Sequence, residues 1–178
     1  MDSYMSTCPF CDYENIEGTD LCAQCEQPLL DTSRTTAQTE IERGLIKDRM
    51  TDLDPKTPTA VAPETPVGEV LKLMVDQSIG CVLVVEEKTI VGIFTERDAL
   101  YKLNTSFHKF KDRPVSEFMT KEPQSLDLQA KVVFALQRMD LGGFRHIPIV
   151  DAEGHATGII SIRDILRYLT DKLDKLEV

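Results

Sequence analysis

What the 178-residue sequence lacks already removes several classes of protein. No apolar run approaches the roughly 20 residues that span a membrane. No N-terminal stretch joins basic residues to an apolar core, so neither secretion nor membrane insertion is expected, and the expected compartment is the cytoplasm. Histidine occurs only as His108, His146 and His155, none of them in a nucleophile or metal-hydrolase constellation, so an enzyme is not expected. Residues 1–30 contain no lysine or arginine, while Asp2, Asp12, Glu14, Glu17, Asp20 and Glu26 give them a formal charge of −6. Phosphate backbones are bound by cationic side chains that release counterions, so this segment should repel nucleic acid. The whole chain agrees in sign, at −10.

The same acidic segment holds four of the five cysteines, as two C-x-x-C pairs, Cys8/Cys11 and Cys22/Cys25. Without a secretory leader, two such knuckles suit one tetrahedral metal ion better than two disulfides or a redox dithiol. Zinc is the expected ion, and iron also suits four thiolates. A segment this small has almost no apolar core, so metal binding would supply most of its folding free energy. "TCPFCDYENIEGTDLCAQCEQPL" resembles the small zinc ribbons attached to many bacterial and archaeal regulators, although Asp12 and Glu26 stand where glycine is frequent. With its charge, the ribbon is expected to contact a protein. "DTSRTTAQTE" then reads as a polar linker, and Ile41, Leu45 and Ile46 begin a short amphipathic stretch that should dock the linker's end on the larger C-terminal part of the chain.

That larger part says one thing twice. "GIFTERDAL" from Gly92 returns as "GIISIRDIL" from Gly158, 66 positions later. Thr95 and Ser161 with Asp98 and Asp164 have the hydroxyl-x-x-carboxylate spacing of a capping box, a sufficient reason on its own for such a phrase at a helix start. The surroundings repeat as well. Val67, Val70, Leu71 and Met74 mark a helix face that returns as Val132, Ala135, Leu136 and Met139. "CVLVVE" from Cys81 matches "HIPIVD" from His146, and each is followed by a turn, at Glu86-Glu87 and at Asp151–Gly154, and a second strand. Each unit reads β-α-β-β-α, and two such units should pack sheet against sheet with helices outside, an α+β pseudo-twofold pair.

The duplicated G-h-h-[ST]-x-x-D at a strand-to-helix junction, with "RHIPIVD" one hairpin upstream, resembles a tandem pair of cystathionine-β-synthase (CBS) domains, or Bateman module. "DRMTDLDPKTPTAV" and "SEFMTKEPQSL" resemble the lead-ins to the first strands of such repeats. The domain reading is therefore 1–30 zinc ribbon, 31–44 linker and start of the docking helix, 45–104 first repeat, and 105–178 second repeat with a C-terminal helix. The resemblance implies a regulatory sensor of AMP, ADP, ATP or S-adenosylmethionine. In that reading Asp98 or Asp164 accepts from ribose hydroxyls, Thr95 or Ser161 and helix N–H groups meet ribose or phosphate, and Arg97, Arg163, Arg145 and His146 neutralise phosphate. Gly80-Cys81 stand where the second repeat has Arg145-His146, so the second site should be the stronger. His146 reads equally well as a half-buried strand histidine, Cys81 as an inert core thiol, and "FHKFKDR" from Phe107 as a solvated loop. The rival function is a ligand-free interaction or scaffold module whose boxes are only caps. Bateman modules commonly form homodimers, and Leu166, Leu169, Leu173 and Leu176 offer a seam for a partner or for the domain itself.

Overall fold

A computed structural model describes residues 5–8, 13–16, 19–24, 29 and 40–175. Cys11, Cys25 and Leu176 lie outside the described residues. The chain divides into two compact units, one of Met1–Asp54, Asp127–Arg145 and Ser161–Val178, the other of Pro55–Leu126 and His146–Ile160. Each unit draws on both repeats.

The first unit begins with an antiparallel hairpin, β1 (Met5–Thr7) and β2 (Glu14–Ile16). The docking stretch becomes α1 (Glu40–Lys47), which meets α5 (Val132–Gly142) and α6 (Ile162–Asp174) as its apolar spacing predicts. Asp48 fastens this corner. Its carboxylate accepts from the Tyr168 hydroxyl at 2.6 Å and pairs with Lys172 Nζ at 2.6 Å, and its carbonyl accepts from the Val132 amide at 2.9 Å. Burial works to raise the Asp48 pKa, but the bonds from Lys172 and Tyr168 together outweigh it and hold the carboxyl below its ordinary value. The helix α5 stops at Gly143, whose φ of 61° provides the left-handed turn of a helix end.

In the second unit the first repeat supplies β3 (Ala60–Val61), α2 (Val67–Asp76), β4 (Cys81–Glu86) and β5 (Thr89–Thr95). The strands β3 and β4 run parallel, β4 and β5 antiparallel, and β6 (Thr120–Lys121) adds to β5, giving the order β3-β4-β5-β6. The second repeat forms the sheet β7-β8-β9 from Leu126–Asp127, His146–Val150 and Ala156–Ser161. Alternation in β4 divides its side chains between two faces. Val82 and Val84, with Phe94, join Val67, Val70 and Met74 of α2, together with Leu103, Val115 and Phe118. Cys81, Leu83 and Ile93 face the other way and meet Ala156 and Ile159, so the two sheets contact each other as expected. Each such side chain, fully buried, contributes roughly 1.5–3 kcal/mol.

Two turns differ from their sequence reading. The β4–β5 turn is Glu87-Lys88, one residue later than expected, with both φ values positive, at 47° and 75°. Neither residue is the Gly or Asn that usually announces such a turn, which explains the slip. "FHKFKDR" forms a short helix, α4 (Phe107–Phe110), and a turn whose Lys111 and Arg113 carbonyls accept from the Gly68 and Val67 amides, each at 2.8 Å. The segment therefore satisfies the start of α2, which Pro66 provides with no side-chain cap.

The glycines of the repeated phrase mark crossings. A Cβ on Gly158 would lie 2.8 Å from Pro55 Cβ, and one on Gly92 would overlap the Met119 sulfur. Each glycine therefore lies beneath the other repeat's lead-in. Lys56 and Ile159 exchange backbone bonds at 3.2 and 2.9 Å, while Thr120 and Lys121 pair with Ile93 and Gly92. Proline cannot swing aside and the methionine thioether can, so Gly158→Ala should cost about 1–3 kcal/mol, and Gly92→Ala less. Thermal unfolding of the two variants checks this, and a larger loss for Gly92→Ala contradicts it.

Candidate functional site

Both repeated phrases end a strand and open a helix, and both do so through the same bonds. In the first, Asp98 Oδ2 accepts from the Thr95 amide at 3.0 Å and the Thr95 hydroxyl at 2.6 Å, and the Asp98 amide donates back to Thr95 Oγ1 at 3.2 Å. In the second, Asp164 Oδ2 accepts from the Ser161 amide at 2.8 Å and from the Ser161 hydroxyl. The first helical amide is satisfied alike in each, Glu96 N–H by the Gly80 carbonyl at 3.0 Å and Ile162 N–H by the Arg145 carbonyl at 2.9 Å. Both carboxylates are buried, and Arg97, Arg145 and Arg163 are exposed. The capping reading is thus correct for both copies, and it uses one oxygen of each carboxylate.

The second oxygens differ. Asp98 Oδ1 pairs with Lys102 Nζ at 2.7 Å and accepts from the Thr120 hydroxyl at 3.2 Å. Asp164 Oδ1 pairs at 3.2 Å with Arg167, whose side chain is 60% exposed. The helices behind them differ too. In the first repeat three α-helical residues, α3 (Glu96–Asp98), give way to a π-helical turn over Ala99–Leu103, whereas α6 runs regularly for 13 residues. Wide turns of this kind inside helices recur at functional sites. Matching one repeat to the other does not find Lys102, because its counterpart is Tyr168; its i,i+4 spacing from Asp98 is the available signal.

His146 is half-buried at the start of β8, and its imidazole lies against Gly80. A Cβ on that glycine would be 3.1 Å from His146 Nε2 and 3.4 Å from Glu96 Oε2. The absent side chain at Gly80 makes room for the ring, and Glu96 adds a negative charge that its counterpart Ile162 does not carry. Cys81 next to it is buried; burial, and then the Glu96 charge, push its thiol up to about 12, which leaves it protonated and inert.

Among the described cysteines of the N-terminal segment, Cys8 and Cys22 are 0% and 1% exposed. Cys22 Sγ accepts from the Gln24 amide at 3.4 Å and from Asn15 Nδ2 at 3.5 Å, and Asn15 Oδ1 accepts from the Ala23 amide at 2.9 Å. Two N–H donors aimed at a buried sulfur would orient it toward an ion, so Cys22 fits a metal ligand. No helix among the described residues is long and apolar enough to cross a membrane.

Two β-α-β-β-α units with matched strand-to-helix capping boxes define a tandem-repeat module of the Bateman type. The chain belongs to the CBS domain family, whose pattern matches residues 47–105 and 115–171. It is 36% identical over 112 residues to an uncharacterized 17.7 kDa protein of Acidianus ambivalens, covering 62% of this chain and 66% of that one. Over 117 residues it is 38% identical to inosine-5'-monophosphate dehydrogenase of Aquifex aeolicus, covering 62% of this chain but 22% of the enzyme. The chain thus spans less than two thirds of the length of these relatives. Among solved structures, CBSX2 in complex with AMP superposes with a TM-score of 0.57 at 26% identity, covering 67% of this chain and 96% of that one.

Proposed function

We propose that the chain is a regulatory sensor of an adenosyl nucleotide, gripped at the second repeat and signalled to a protein partner. One observation carries the choice of repeat: the acceptor positions of Asp98 are all filled from within the chain, by Thr95, Lys102 and Thr120 of the crossing lead-in, whereas Asp164 opens the longer helix α6 and has the exposed Arg167 among its partners. Ser161, Arg163 and Arg145 lie in the chain at the same junction, the two arginines exposed for phosphate, and α6 is long enough for its N-terminal dipole to favour an anion. The AMP complex of a structural neighbour with 26% identity supports the ligand class. Thr95, Arg97 and Asp98 form the weaker counterpart, and His146, beside Glu96, is the least favoured member of the set.

The N-terminal segment is read as a ribbon holding one zinc through Cys8, Cys11, Cys22 and Cys25, acidic enough to face a protein rather than nucleic acid. A homodimer is read from α6, where Leu166 and Leu173 are 55% and 48% exposed; a mass by light scattering equal to one 20.0 kDa chain at micromolar concentration would refute it. The regulatory module is read as cytoplasmic and as non-catalytic in itself. The rival scaffold reading draws on the capping bonds, which are complete without a ligand. Calorimetric titration of AMP, ATP and S-adenosylmethionine separates the two: saturable heat with at least one is expected, and none with all three removes the sensor reading.

A further inference from the structure

We propose that Lys102 is a built-in occupant of the first repeat's carboxylate, closing that site so that each chain holds one adenosyl ligand and not two; this rests on the nucleotide reading above. The hydrogen-bonding capacity of both partners is full. An ammonium has three protons to donate, and Lys102 Nζ has three acceptors, Asp98 Oδ1 at 2.7 Å, the Phe118 carbonyl at 2.7 Å and the Met119 carbonyl at 3.0 Å. A carboxylate offers about four acceptor positions, two on each oxygen. Asp98 uses all of them, two for the Thr95 amide and hydroxyl, one for Lys102 and one for Thr120. A ribose diol arriving here finds no lone pair to bond.

The backbone is shaped to allow this. Lys102 belongs to the π-helical turn that follows Asp98, a turn that buries Leu103 at 2% exposure while leaving Leu100 and Tyr101 at 73% and 80%. The two carbonyls that hold the ammonium belong to the second repeat's lead-in, immediately before Thr120, so one crossing segment supplies three of the contacts that close the site. At the matching place in the second repeat stands Tyr168, whose hydroxyl is given to Asp48. The first site is also poor in positive charge for a phosphate, with Gly80 flanked by the Glu96 carboxylate. If opened, it should therefore favour an uncharged nucleoside over a nucleotide.

The test is calorimetric stoichiometry on the full chain with adenosine and with AMP. Wild type should bind one ligand per chain. Lys102→Met should bind two adenosines, and Lys102→Met combined with Asp98→Ala should return to one. The site at Asp164, retained at wild-type affinity, reports that each variant is folded; should Lys102→Met not fold, Lys102→Gln, which keeps donors for the two carbonyls, takes its place. Two sites in the wild type, or one site in the folded Lys102 variant, overturns the closure while leaving the nucleotide reading intact. No binding to any of the proteins overturns the nucleotide reading and the closure with it.

Discussion

Asp164→Ala is expected to lower adenosyl-nucleotide affinity at least tenfold while leaving the protein folded. The two effects differ in size because the carboxylate has two duties. As a helix cap it contributes about 1 kcal/mol, which the fold tolerates. As a charged acceptor of ribose hydroxyls it contributes on the order of 1.5–3 kcal/mol per bond, at or beyond the roughly 1.4 kcal/mol that makes a factor of ten. Asp98→Ala should scarcely change binding, because Asp98 already spends its second oxygen on Lys102 and Thr120. It should instead cost more stability than Asp164→Ala, since it strips Lys102 of a partner beside two carbonyls. Under the scaffold reading the two variants differ only in stability. Titrations of both with the nucleotide that wild type binds, alongside thermal unfolding, decide; equal affinities in wild type and Asp164→Ala would sink the site assignment.

The second large effect concerns the metal. Untagged protein should contain one zinc per chain, and Cys22→Ser should lose most of it, because Cys22 is buried and receives two N–H donors that would orient a bound thiolate. Zinc-binding free energies in small modules reach roughly 10–16 kcal/mol, far above what a segment with almost no core gains by folding alone. Chelation should therefore expose four thiols to a disulfide reagent at neutral pH, not five, since Cys81 is held protonated in the core. Cys22→Ser with full zinc occupancy, or five reactive thiols in the chelated but otherwise native chain, would count against this.

Much of this organisation is legible in the sequence, and the reason is repetition. A phrase, a helix face and a strand that recur at nearly one offset support each other, so the succession of strands and helices in both repeats and the two capping boxes emerge from the sequence alone, while the pairing of Thr120 and Lys121 with β5 does not. Repetition is also the limit. Comparing the halves position by position shows what they share, and Lys102 is matched by a tyrosine, Tyr168; the π-helical turn that delivers it has no composition signal. By alignment of the halves, Gly80-Cys81 is a loss of cationic donors, whereas in the fold Gly80 also gives the His146 ring its place beside Glu96, a long-range contact that spacing cannot disclose. The Glu87-Lys88 turn escapes because β4 and β5 impose left-handed conformations on residues that do not prefer them.

The crossing of the lead-ins over Gly92 and Gly158 makes neither repeat autonomous. Cut between them, the first half would leave the outer edge of β5 open where Thr120 and Lys121 belong, and the second would leave β9 without Lys56. Open edges of this kind recruit strands from other chains, so each half alone is an aggregation hazard. The intact chain must instead close a loop of about 100 residues to bring Lys56 to Ile159. Pairings so distant in sequence slow folding, which makes this duplication one kinetic unit, committed to completing both halves or neither.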